Sequence, residues 1–303
     1  MNFLYLLERI RVPAVDEFML AVTTLGDEIA FLVVALILMW CADKKSGYFV
    51  LSVGFLGTIF NQFMKLWFRI PRPWVLDKHF SIVEQAREGA SGYSFPSGHT
   101  QSAVGTFGSI ASITKNKLLR IACLAAAIIV PFSRMYLGVH TPLDVGVAAL
   151  MAIILIFVLK PVFFGKRERV FPAFLGIMVV IAVGYLCFVE LFPFPADTDP
   201  HNLASGLKNA YTLLGSIIGM VIVYIVDTNW LNFPTKAVWW AQLLKICVGL
   251  AVVLAIKSGL KTPLEALFGE LPGRAVRYCI LVLVAGIVWP LSFRWFSKLG
   301  TKE

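Results

Sequence analysis

Charge is scarce in this sequence. Of its 303 residues, 27 are Lys or Arg and 18 are Asp or Glu, so that only 15% are charged, against about a quarter in an ordinary soluble domain. That shortage excludes a water-facing surface over most of the chain. Cysteine is sparse as well: Cys41, Cys123, Cys187, Cys247 and Cys279 lie far apart inside apolar segments. Such dispersal excludes a disulfide framework and a metal-binding or redox spacing, and leaves core packing as their expected role. No internal repeat, low-complexity run or flexible linker is present, which excludes a solenoid and a string of tethered domains. A leader peptide is not expected in MNFLYLLERIRVPAVDEF, because Glu8, Arg9 and Arg11 interrupt the apolar run. Residues 1–26 are read instead as an interfacial amphipathic segment.

What the chain has in abundance is apolar side chains, 58% of all residues, with a mean hydropathy of +0.80. Apolar segments fall at roughly 27–42, 47–68, 97–114, 118–135, 142–161, 169–192, 206–226, 237–256 and 274–296. Each approaches the length that crosses a bilayer. Lipid admits only helices or closed barrels, and continuous runs of this kind lack the alternation of barrel strands. The expectation is an all-α, polytopic transmembrane helix bundle of about nine spans.

Lys44, Lys45, Lys115, Lys117, Arg120, Lys160, Lys166, Arg167, Arg169, Lys236, Arg294, Lys298 and Lys302 gather in one set of short connections, which should be cytoplasmic. The longer polar connections, about 69–96, 193–205 and 257–273, then share the outer side, where function should be sought. The net charge of +9 is scattered over span ends rather than drawn into a stripe, so nucleic acid is not an expected partner and membrane lipids are.

Three short pieces carry chemistry. KLWFRIPRP closes the second span with Lys65, Arg69 and Arg72. PSGHT opens the third with Ser97, Gly98 and His99. SRMYLGVHTPLD leads from the fourth, through Arg134 and His140, into the fifth, which begins at Thr141, Pro142 and Asp144. Singly, each piece has a structural reading: interfacial cations that snorkel, a Ser N-cap, and a Thr-Pro-x-Asp helix start. Single crossings, however, bring all three to one face. Two helix N-termini, each a natural anion site, then sit beside Lys65, Arg72 and Arg134, which describes a phosphoryl pocket. His99 and His140 stand at the mouths of those helices. Asp144, four residues after His140, can hydrogen-bond one ring nitrogen and leave the other nucleophilic. His79 and His201 read as surface residues, Asp197 and Asp199 as flanking the entrance, and the Gly215/Gly219 pair as a close helix contact.

In order and spacing, Lys65 to Arg72-Pro73, Pro96-Ser97-Gly98-His99, and Ser133-Arg134 to His140 and Asp144 resemble the three-part signature of the type 2 phosphatidic acid phosphatase (PAP2) superfamily. The resemblance covers roughly residues 45–162. It implies a six-helix core and a phosphatase that needs neither metal nor cofactor and works through a phosphohistidine. His140 would attack phosphorus, Asp144 would support it, and His99 would protonate the leaving oxygen and then activate water. Lys65, Arg72, Ser97, Gly98 and Arg134 would bind the phosphate oxygens.

The expected division is a catalytic core over residues 1–165 and a three-helix transmembrane extension over 166–303. The count of nine spans, and the RPWVLD stretch at Arg72–Asp77, are also similar to glucose-6-phosphatase. The substrate implied is a lipid phosphate or polyprenyl pyrophosphate, in a bacterial cytoplasmic membrane with the site on the outer face. The alternatives are a sugar phosphate as substrate, or a non-catalytic phospholipid-binding or transport protein. Soluble haloperoxidases that hold vanadate share the signature, but nine apolar spans argue against that reading. Oligomeric state is not legible.

Overall fold

Apolar side chains left facing outward dominate the surface of the computed structural model, which describes residues 1–90, 92–165 and 170–299. Leu118, Ile128, Phe157, Val180, Leu191 and Trp239 are all largely exposed. On a protein in water such a surface would drive aggregation, whereas against lipid it is the expected outer layer.

Every apolar segment read from the sequence is helical, and no described residue is in a strand. Seven helical segments are long and apolar enough to cross a membrane. They are Lys44–Leu76, which contains α4 (Lys44–Phe68) and α5 (Pro73–Leu76); α7 (Lys117–Tyr136); α8 (Pro142–Phe164); α9 (Phe171–Leu191); Pro200–Leu231, with α10 (Pro200–Val226); α11 (Trp239–Gly259); and Glu270–Phe296, from α13 (Glu270–Leu283) to α14 (Phe293–Phe296). An eighth crossing is made if Pro13–Gly26, with α2 (Pro13–Thr23), and Glu28–Ala42, with α3 (Glu28–Ile37), act as one span bent by 54°. The remaining helix of the expected nine, α6 (Gly98–Ile113), has 16 residues. At 1.5 Å per residue it is about 24 Å long, short of the roughly 30 Å hydrocarbon core. The described residues therefore hold seven or eight full spans rather than nine.

The helices divide into two compact units. The first comprises Met1–Val34, Phe49–Gly165 and Phe194–Ser205. In it α6 packs against α7 and α8, while α1 (Asn2–Arg9) and α2 lie on α7. The N-terminal segment is thus joined to the helix core: Leu4, Leu7 and Met19 are buried, and the Arg11 Nε–H donates to the Tyr136 carbonyl at 2.9 Å. Gly54 and Gly57 on α4 allow close approach, since a Cβ at Gly54 would overlap the Phe31 ring and one at Gly57 the Gln101 amide.

The second unit comprises Ala35–Tyr48, Lys166–Pro193 and Gly206–Glu303. Here α10 meets α13 through the expected small-residue pair, because a Cβ at Gly215 would overlap the Ala275 carbonyl and one at Gly219 would lie 2.9 Å from Val282 Cβ. Helix α12 (Lys261–Phe268) folds back on α13 at Gly269, whose φ is +86°. A Lys44–Asp227 ion pair at 2.8 Å lies under the Phe233 ring. The cysteines are free, and only Cys123 is buried; Cys187 and Cys247 are exposed, so the packing role expected for those two does not hold. The cations Lys166, Arg167, Arg169 and Lys302 lie outside the described residues.

Candidate active site

The connection between α4 and α6 is held over the ends of the helices by its own apolar residues. Val83, Ala86 and Ala90 join Met19, Tyr136, Leu137 and Val139 in one buried cluster. Backbone bonds from the Val83 N–H to the Leu137 carbonyl (3.1 Å) and from the Ser94 N–H to the Ile70 carbonyl (2.8 Å) fix its path. Its last residues lead into Ser97, the N-cap of α6, whose hydroxyl accepts from the Thr100 N–H at 3.4 Å and whose own N–H donates to the Asp144 carbonyl at 3.1 Å. The start of α6 is thereby tied to the start of α8.

Helix α7 ends in a turn that presents His140. The Val139 and His140 N–H groups both donate to the Arg134 carbonyl, at 3.1 and 3.3 Å, while Gly138 takes φ +81°, a conformation that suits glycine. Thr141 and Asp144 then form a reciprocal cap on α8: the Thr141 hydroxyl accepts from the Asp144 N–H at 3.3 Å, and the Asp144 carboxylate accepts from the Thr141 N–H at 2.7 Å. A cap of this kind is worth about 1 kcal/mol, and it also aims the carboxylate at His140.

Around His140 the hydrogen-bond donors settle the tautomer. Arg72 Nη1 lies 2.8 Å from His140 Nε2. A guanidinium can only donate, so Nε2 carries the lone pair and the ring proton sits on Nδ1. That proton faces the Ser94 hydroxyl at 3.4 Å and Asp144 Oδ2 at 3.5 Å. Ser94 in turn donates to the same carboxylate oxygen at 2.6 Å. The relay therefore runs from His140 through Ser94 to Asp144, and all three residues are buried. His140 lies in the turn between two spans, where burial first, then Arg72, Arg134 and Lys65, hold its pKa well below the usual 6.5. The ring is neutral and its Nε2 lone pair is available.

The expected cations converge on this ring. Arg72 is oriented by the Gly92 and Val139 carbonyls at 2.9 and 3.0 Å, and Lys65 Nζ donates to the Tyr93 carbonyl. Arg134, 1% exposed, spends Nη1 on the Thr23 hydroxyl at 2.8 Å. Its Nε–H and Nη2–H are buried without a partner, which is how a guanidinium awaiting an anion would look.

Lys65, Arg72, Gly98, His99 and His140 line one cavity of about 240 Å³. Ser97, Arg134 and Asp144 do not reach its wall and lie behind it. Among the described residues no group of three or more His, Cys, Asp or Glu side chains is placed to hold a metal ion. His79 and His201 are exposed and away from the cavity. Asp199 is fixed at the edge of the loop, its N–H donating to the Tyr93 hydroxyl at 3.1 Å.

Two residues of the constellation escaped the sequence reading. Ser94 sits only three residues before Ser97, yet nothing in a lone serine marks it as a bridge between a histidine and a carboxylate. Asp27 lies 2.9 Å from His99 Nε2 and comes from far upstream. Its one signal is its place as an acid after Gly26 at the head of an apolar run. A Cβ at Gly26 would lie 2.8 Å from the His99 carbonyl, so this glycine lets the bend between α2 and α3 approach α6 and set Asp27 on the imidazole.

The geometry can now be set against known proteins. Residues 45–168 match the PAP2 superfamily, and residues 211–302 match the PAP2 superfamily phosphatase transmembrane extension. Undecaprenyl-diphosphatase BcrC of Bacillus subtilis (strain 168) is 29% identical over 146 residues, which are 46% of this chain and 70% of that protein. No solved structure gives a significant match. The two family matches lie on either side of α9, one over the histidine cavity and one over the second unit, and together they establish that the chain is a membrane phosphatase belonging to the PAP2 superfamily.

Proposed function

We propose that this protein hydrolyses a membrane lipid phosphate or diphosphate through a phosphohistidine on His140. The observation that carries the reading is a neutral histidine whose Nε2 lone pair accepts from Arg72, and a second histidine, His99, on the walls of one cavity that Lys65 and Arg72 also line. In the first step His140 Nε2 forms a bond to phosphorus as the phosphorus–oxygen bond to the leaving group breaks, and His99 gives its proton to the departing oxygen. In the second, water attacks phosphorus, His99 takes the water's proton, and the His140–phosphorus bond breaks to release inorganic phosphate. Arg72, now bonded to Nε2, turns to the phosphate oxygens, where Lys65 joins it, while Arg134, outside the cavity lining, adds its charge. The N–H groups of Gly98 and His99, at the start of α6, add to this cradle. Ser94 and Asp144 hold the ring and stabilise the charge that grows on it.

The first 165 residues form the catalytic core in this reading, and residues 166–303 a membrane extension to it. The relative from Bacillus subtilis, named as an undecaprenyl-diphosphatase, supports a polyprenyl lipid as substrate and a bacterial cytoplasmic membrane as the location. Three fixed cations and two helix starts supply the positive charge that phosphoryl transfer needs. Phosphate release from phosphatidate and from a polyprenyl diphosphate should therefore persist in EDTA and be blocked by orthovanadate. Activity lost in EDTA and restored by magnesium would overturn the mechanism. The cavity opens on the outer face in this account, so a cysteine replacing exposed Lys78 in a cysteine-free background should react with an impermeant thiol reagent in intact cells. One replacing Lys117 should not, and the reverse pattern would put the reaction in the cytoplasm.

A further inference from the structure

Asn61 brings to the cavity an amide oxygen that nothing answers. The residue lines the cavity together with Lys65, Gly98, His99 and His140, and it is 1% exposed. Its Nδ2 donates to the Pro96 carbonyl at 3.3 Å. A carbonyl can only accept, so the amide cannot be turned over and Oδ1 is the atom left free. That oxygen is buried without a hydrogen-bond partner, a state that costs free energy until a donor fills the place. It lies at the phosphate cradle. A Cβ on Gly98 would stand 3.9 Å from it, and Lys65, four residues on along α4, is one helical turn or about 6 Å away along the axis.

We infer that Asn61 positions the water that hydrolyses the phosphoenzyme. This rests on the phosphohistidine reading above. Phosphate oxygens accept hydrogen bonds, so an acceptor beside the cradle does not serve them; it serves an oxygen that carries its own proton. Two such oxygens pass through the site, and they differ in proton count. The departing ester oxygen receives a single proton, from His99. The attacking water brings two. As its oxygen bonds to phosphorus and the His140–phosphorus bond breaks, one proton passes to His99, while the other, held in a hydrogen bond to Asn61 Oδ1, stays on the phosphate released. His140 Nε2 recovers its lone pair. Asn61 therefore orients the nucleophile of the second step and has nothing to hold in the first.

The test separates the two steps. Full-length wild type and Asn61→Leu, which keeps the side-chain volume and loses the acceptor, are given para-nitrophenyl phosphate in detergent with methanol, a competing acceptor whose one proton goes to His99 and leaves none for Asn61. Nitrophenolate reports formation of the phosphoenzyme, and methyl phosphate against inorganic phosphate reports how it is discharged. Asn61→Leu should raise the ratio of methyl phosphate to phosphate by about tenfold. It should also accumulate phosphoenzyme when methanol is left out, and keep its single-turnover nitrophenolate burst within about threefold of wild type. The ratio is internal to each protein, so a partly unfolded sample does not move it, and Asn61→Ala is read in the same way if Asn61→Leu does not fold. A ratio within about twofold of wild type would overturn the inference and leave the phosphatase reading intact. A raised KM with an unmoved ratio would do the same, by giving Asn61 to the phosphate itself. If neither wild type nor variant takes up acid-labile label from the phosphorus-32 ester, the phosphohistidine reading fails and the inference falls with it.

Discussion

Replacing Ser94 by Ala removes one hydroxyl and tests whether the relay behind the nucleophile runs through it. The hydroxyl donates to Asp144 Oδ2 at 2.6 Å and faces His140 Nδ1 at 3.4 Å, in a fully buried setting. Without it Asp144 keeps the Thr141 N–H at 2.7 Å, so the helix cap survives. The His140 ring is left with a carboxylate 3.5 Å away, too far for a good hydrogen bond. A hydrogen bond to a charged group is worth about 1.5–3 kcal/mol, which as lost transition-state stabilisation is about tenfold to a hundredfold in rate. Ser94 does not line the cavity, so the loss should fall on kcat with KM unchanged. The assay is steady-state hydrolysis of a lipid monophosphate together with the rate of phosphoenzyme formation in a single turnover, with the thermal midpoint as a check on folding. A Ser94→Ala protein that forms phosphoenzyme within twofold of the wild-type rate would refute the relay and leave the direct His140–Asp144 contact to do the work.

The remaining expectations follow from the same geometry. Because burial, Arg72, Arg134 and Lys65 lower the pKa of His140, the ring stays neutral and competent below pH 6.5, so the acid limb of kcat/KM should lie under that value. Arg72→Gln removes the largest charge opposing protonation and should move the limb toward higher pH; an unmoved limb would assign it to another group. Gly57→Ala drives a Cβ into the Gln101 side chain, an overpacking worth about 1–3 kcal/mol, read as a lower thermal midpoint. Gln101→Ala in the same chain should restore most of the loss, and simple additivity of the two changes would contradict the contact.

The membrane bundle was legible because hydropathy acts on whole segments: each apolar run of the expected length is a helix. Helix α6 is the exception in length. Its first turn, Gly98 and His99, belongs to the cavity rather than to the lipid, so the helix stops short of a full crossing. The signature residues were legible because caps and spacing are local, as in the Thr141–Asp144 pair. The partners of those residues were not. Asp27 reaches His99 across 72 positions, and Thr23 reaches Arg134 across 111; both depend on a bend at Gly26 that hydropathy does not register. The segment read as lying at the interface therefore contributes Thr23, and the first residue of the apolar run after it contributes Asp27, to orient catalytic candidates.

The covalent intermediate is the central claim. Protein mixed with a phosphorus-32-labelled lipid phosphate, quenched within one turnover and digested under alkaline conditions, should yield a single acid-labile, alkali-stable phosphopeptide with the label on His140. His140→Ala should yield none, and His99→Ala should retain label because water activation is slowed. Label on His99, or label persisting in His140→Ala protein, would contradict the account.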